Sequence, residues 1–112
     1  MSKTISPLFT DDHKTGEFFR LVNNDPLYDL NMCEGNALVF LEDMLELKPG
    51  KDGTYEMPME GGIERIGKAF STLLNLTPNN KSAYDYYIDR LIILIRIYAY
   101  GKCNGATHII AA

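Results

Sequence analysis

Between Ser82 and Tyr100, apolar side chains recur at helical steps on two opposite sides of one segment. At 100° per residue, Tyr84, Tyr87, Leu91, Leu94, Ile95 and Tyr98 fall within about 100° of arc, an ordinary core-facing stripe. Tyr86, Ile93, Ile97 and Tyr100 form a second stripe roughly opposite. Asp85, Asp89 and Arg96 make a narrow polar strip between the two, and Arg90 stands on the far flank. Ser82 is placed to cap this helix and Gly101 to end it at a left-handed C′ position.

Three further helices follow from the same periodicity. Thr10, Asp11 and Asp12 make a helix start, Phe18, Phe19, Leu21 and Val22 its apolar side, and Asn23 to Pro26 its end. A longer helix is expected over 31–47, where Cys33, Ala37, Phe40, Leu41, Met44 and Leu45 recur at steps of three and four. Gly35 and Asn36 weaken its first turn. A third is expected over 62–76, with Ile63, Ile66, Phe70, Leu73 and Leu74 on one side and Glu64, Arg65 and Lys68 on the other. Residues 48–62, rich in glycine and proline, read as a long loop in which Asp52-Gly53 can turn a small β-hairpin with Thr54-Tyr55-Glu56 as one arm. The apolar tail, Gly105 to Ala112, is a candidate docked strand. The expected fold is thus mainly all-α: one domain over 1–112, a compact bundle of four helices or so around the C-terminal one.

A helix with two apolar stripes is either buried between neighbours or exposes one stripe to a partner. On the second reading Tyr86, Ile93, Ile97 and Tyr100 are partner-binding residues and the chain forms a homodimer. Tyrosine suits that role, bringing large area with a polar tip.

Charge adds a second surface. The net charge is −4, but residues 1–62 carry 12 acidic and 5 basic side chains and residues 63–112 carry 3 and 6. Glu34, Glu42, Asp43 and Glu46 are candidates for an acidic surface that steers association with a basic protein. The basic residues of the second half form no stripe, so direct nucleic-acid binding is not expected. No membrane association is expected either: the run Leu91–Ile95 is far too short to span a bilayer. The N-terminus shows no signal-peptide pattern, and two cysteines without paired spacing suit reduced thiols in a cytoplasmic protein.

Catalytic signatures are sparse. Glu42, Glu46, Asp85 and Asp89 form two i,i+4 pairs that would hold a magnesium ion if two helices brought them together. They lack the dense acidic motifs of helical nucleotide pyrophosphohydrolases. Cys33, Cys103, His13 and His108 lack the close pairs of structural zinc sites, and no phosphate loop is present. Neither a cofactor nor a metal is expected, and Cys33 reads as a buried small hydrophobe. In size, acidity and general character the chain is similar to small cytosolic proteins that act by occluding others, such as phage-encoded anti-defence inhibitors and toxin-immunity proteins. The leading expectation is a non-enzymatic protein-binding module of that inhibitor kind. The alternatives are a small Mg-dependent helical hydrolase and a structural subunit of a homo-oligomeric assembly.

Overall fold

The computed structural model describes residues 2–10, 18–20 and 29–112. Its architecture is α+β, with three helices and an antiparallel sheet, which corrects the all-α bundle. The strands are β1 (Ser2–Thr10), β2 (Phe18–Arg20), β3 (Leu30–Cys33), β4 (Tyr55–Pro58) and β5 (His108–Ala111). The helices are α1 (Glu34–Leu38, running on into a π-helical turn at Val39–Met44), α2 (Gly62–Leu76) and α3 (Lys81–Cys103).

The sheet is built on β1 and β5. Ile5 pairs with Leu30 of β3 on one edge and Ala111 of β5 on the other; Leu8 likewise pairs with Arg20 of β2 and His108 of β5. β2 and β3 therefore share one edge of β1, while β5 takes the other edge and carries β4 outside it. Pro7 explains why two short strands share that edge. Thr4 and Ala112 exchange both ladder bonds (2.8 and 3.1 Å), so even-numbered residues of β1 bond to β5 and odd-numbered ones to the opposite edge. Pro7 has no N–H to offer there and falls between the Ile5–Leu30 and Leu8–Arg20 pairings, so it takes no bond from either ladder among the described residues. By the same parity Pro58 turns its missing donor to the outer edge of β4, which blunts that edge against further strands.

Two sequence expectations fall here. The helix proposed from Thr10 is overturned where it is described: Thr10 ends β1, and Phe18 and Phe19 are in β2 with Arg20. Residues 11–17 and 21–28, including His13, Leu21, Val22 and Asp25, lie outside the described residues. The helix expected over 31–47 begins only at Glu34. Leu30 and Met32 are buried while Asn31 and Cys33 are exposed, the alternation of a half-buried strand. Cys33 is thus an exposed strand residue rather than a buried helical one. Asp52 does turn the chain, accepting from the Thr54 amide at 3.0 Å. The arm that follows pairs with β5, however, and not within a hairpin of the 48–62 loop.

The face of the sheet bearing Ile5, Leu30, Met32, Tyr55, Met57, Ile109 and Ala111 carries the core. Helix α3 lies on it, and α2 packs on α3 and on the π-helical turn. The position of α3 is set by close contacts. A Cβ on Gly101 would meet Met59, Ala106 and Pro7, and a Cβ on Gly62 would lie 2.5 Å from the Tyr98 ring. Tyr98 also donates its hydroxyl to the Met59 carbonyl at 2.7 Å. Gly101 therefore sits inside the helix at a close approach and does not end it. Termination falls to Asn104 and to Gly105, whose φ of 82° is the left-handed conformation glycine permits. At the other end the capping side chain is Asn80, which accepts from the Ala83 amide, rather than Ser82.

Two residues beyond the π-helical turn stands Glu46, a non-glycine residue with φ 55°. Arg65 closes this end by donating to the carbonyls of Leu45 (2.8 Å) and Glu46 (3.2 Å). Left-handed backbone at a β-carbon residue costs about 1 kcal/mol. Glu46→Gly is therefore expected to raise the melting temperature by a few degrees, although it removes the exposed Lys68 pair (2.8 Å). A calorimetric melt that moved down instead would mean that the pair outweighs the backbone strain.

Candidate protein-contact face

Helices α2 and α3 run back to back as a hairpin joined at residues 77–80. Their buried residues are Ile66, Ala69 and Leu73 on α2, and Tyr87, Leu91, Leu94, Ile97 and Tyr98 on α3. About a quarter-turn round from those positions, each helix carries another apolar row. On α2 it is Ile63, Gly67, Phe70 and Leu74; on α3 it is Ile88, Ile92, Ile95 and Ala99, with Phe70 and Ile88 half-buried against the core at the inner margin of the face. Both rows step by four, three and four. Ile63 is 52% exposed, Leu74 61%, Ile92 57% and Ile95 37%, and these large side chains are open to solvent. The rows lie on the same side of the hairpin, because Ile63 lines one groove of about 340 Å³ with Ile95, Tyr98, Ala99, Lys102 and Cys103. Scattered exposed aliphatics are ordinary on any surface, but two adjacent rows at heptad-like spacing form a continuous face.

The residues singled out in the sequence are distributed differently. Ile97 is completely buried; it stands one turn before Gly101, on the side of α3 turned to the sheet. Tyr86 and Ile93 are half-buried and packed against the core, and Tyr100 is half-buried. Tyr86 is also held edge-on by Tyr87 (5.1 Å between centroids) and faced by the Arg90 guanidinium at 4.2 Å. The exposed apolar surface of α3 lies instead at Ile92, Ile95 and Ala99. Ile92 has no place in either stripe, and the wheel groups Ile95 with the core. The 88/92/95/99 spacing was the signal that could have found them.

All four acidic candidates, Glu34, Glu42, Asp43 and Glu46, are exposed. Glu46 is bonded to the Lys68 ammonium, which with Arg65 nearby holds its carboxyl below the usual carboxylate range. Glu42 accepts from the Tyr55 hydroxyl. Asp85 pairs with Lys81 (2.7 Å) and Asp89 with Arg90. The carboxylates of the hydrolase reading are not gathered into one site: no group of three or more His, Cys, Asp or Glu among the described residues is placed to hold a metal. Nor is any helix among them long and apolar enough to cross a membrane.

The Tyr55–Glu42 bond gives a pH signature. That bond first, then burial and the Glu42 and Glu34 charges, push the Tyr55 phenol from 10.0 up to about 12. A folded value above the unfolded one means that the bond stabilises the fold fully below pH 10 and loses that contribution as pH rises through 12. Ultraviolet titration should show a tyrosine ionisation, that of Tyr55, with a midpoint near 12. In Glu42→Gln that midpoint should fall toward 10, and an unchanged midpoint would assign the shift elsewhere.

No protein-family model matches the chain, and no curated protein or solved structure matches it. The functional reading rests on the face itself.

Proposed function

We propose that this chain is a non-enzymatic protein-binding module that makes its principal contact through the outer face of the α2–α3 hairpin. The observation that carries the reading is the paired apolar rows, with Ile63, Leu74, Ile92 and Ile95 held open to water by two helices that each bury a different face in the core. Keeping such side chains exposed forgoes burial worth ~1.5–3 kcal/mol for each fully covered one. A rigid scaffold supports this use: α3 is seated on the sheet and α2 on α3, so the face is presented with little ordering cost on binding. The exposed Glu34, Glu42 and Asp43 would add steering toward a basic protein. Action by occlusion, as in small inhibitors, is the mode that a covering apolar surface of this kind supports.

A benzophenone amino acid placed at position 92 in the natural host tests the reading. Ultraviolet cross-linking should give defined adducts there, and few from the same group at Lys51 in the exposed turn. No adducts at 92, or equal adducts at both positions, would contradict it.

A further inference from the structure

Resting on that reading, the geometry points to a second copy of this chain as the occupant of the α2–α3 face, docked about a two-fold axis that crosses both helices. The argument begins with the order of residues along the exposed side of α3. Asp85, Ile88, Ile92, Ile95, Ala99 and Lys102 step by three, four, three, four and three. This series reads the same from either end, so a second α3 laid antiparallel sets Ile92 against Ile95 of its partner and Ile88 against Ala99. At the two ends it sets Asp85 against Lys102, which would share the carboxylate with the exposed Lys81 of Asp85's own helix. Apolar positions meet apolar ones, and the acidic end meets the basic end, twice over. A parallel pairing would instead set Asp85 against Asp85.

Helix α2 supplies an independent check. The axis implied by α3 passes midway between Ile92 and Ile95. A Cβ on Gly62 would touch the Tyr98 ring, so the two helices are level at these residues. Counting back along the antiparallel hairpin brings the axis to α2 beside Gly67, and Ile63 then opposes Phe70 of the partner. Gly67 is the one residue of the α2 row without a side chain, and a Cβ there would meet nothing within 4 Å in the monomer. Its place at the crossing point leaves room for two α2 backbones to approach closely. Ile63, Leu74, Ile92 and Ile95 together uncover on the order of 400 Å² of apolar surface per chain. With Phe70, Ile88 and Ala99 the two faces reach roughly 1,000 Å², the lower bound for a specific interface and the size of a weak, reversible dimer.

Sedimentation equilibrium of the full chain tests the proposal, with circular dichroism confirming that each variant is folded. The expected mass is twice the 12.6 kDa of one chain. Ile92→Glu should abolish the dimer. Asp85→Lys alone and Lys102→Asp alone should each weaken association about tenfold, and the two together should restore it, because the swapped charges meet again across the axis. Wild-type protein that stays monomeric at hundreds of micromolar, or a dimer indifferent to Ile92→Glu, would overturn the proposal. So would single charge variants that weaken association without rescue by the pair, since they would break the register. A monomer whose position-92 cross-linker still traps a different protein would overturn the self-association alone and leave the binding-module reading standing.

Discussion

Ile97→Ser is expected to lower the stability of the fold by about 3–5 kcal/mol, a large fraction of what a domain of this size possesses. The side chain is completely buried on the sheet-facing side of α3. Truncation removes most of a branched aliphatic from a packed layer, and the hydroxyl left behind faces aliphatic neighbours without a partner. The same replacement at Ile92, five residues earlier and 57% exposed, is expected to change the stability of the single chain by no more than about 0.5 kcal/mol. Urea melts followed by far-ultraviolet circular dichroism would read both. Equal losses at the two positions would mean that the orientation of α3 is wrong.

The second large effect is expected at Gly101. A β-carbon there would lie 3.1 Å from the Ala106 Cβ, 3.3 Å from the Pro7 Cβ and 2.5 Å from the Met59 terminal methyl. Met59 has a flexible end and can move. Ala106 and Pro7 are held by their backbones, Pro7 in a strand paired on β5. Gly101→Val drives three extra carbons into that contact and is expected to cost about 3 kcal/mol. Gly101→Ala should cost less, since alanine recovers close to 1 kcal/mol of helix propensity. A thermal melt in which Gly101→Val matched or exceeded wild type would show that α3 does not approach the sheet this closely.

The sequence was most legible where periodicity and punctuation agree. The α2 helix runs from Gly62 to Leu76 as its pattern indicates, set off by Gly61 before it and Thr77-Pro78 after it. The apolar tail is a strand, as its composition suggests. The sheet was hidden for physical reasons. Ser6 and Leu8 are buried as well as Ile5 and Pro7, so β1 lacks the simple alternation that marks a strand, and Pro7 argues against one locally. β3 has only four residues and runs straight into a helix, so its Leu30/Met32 alternation merges with the helical pattern that follows. The chief partner of β1 lies about a hundred residues further on, a pairing that no local window can see.

The contact face was obscured in a different way. A helical wheel counts apolar residues without knowing how many layers will cover them, and α3 has two: α2 on one side and the sheet on the other. With no sheet expected, Tyr86, Ile93, Ile97 and Tyr100 formed the surplus stripe. With the sheet in place, Ile97 is covered and the surplus moves to Ile92 and Ile95. The carboxylate pairs had the correct helical spacing, but i,i+4 spacing also places Lys81 beside Asp85, and local cations take up Asp85, Asp89 and Glu46.

Thiol accessibility along α3 tests the central claim most directly. In a background with Cys33 and Cys103 replaced by serine, single cysteines at positions 92, 95 and 97 would be labelled at protein concentrations low enough to keep the chain monomeric. Cysteine at 92, and to a lesser extent at 95, should react at rates close to those of an unfolded control, while cysteine at 97 should be protected by orders of magnitude. Protection at 92 equal to that at 97 would mean that the face is covered within the chain, and would contradict its role as a contact surface.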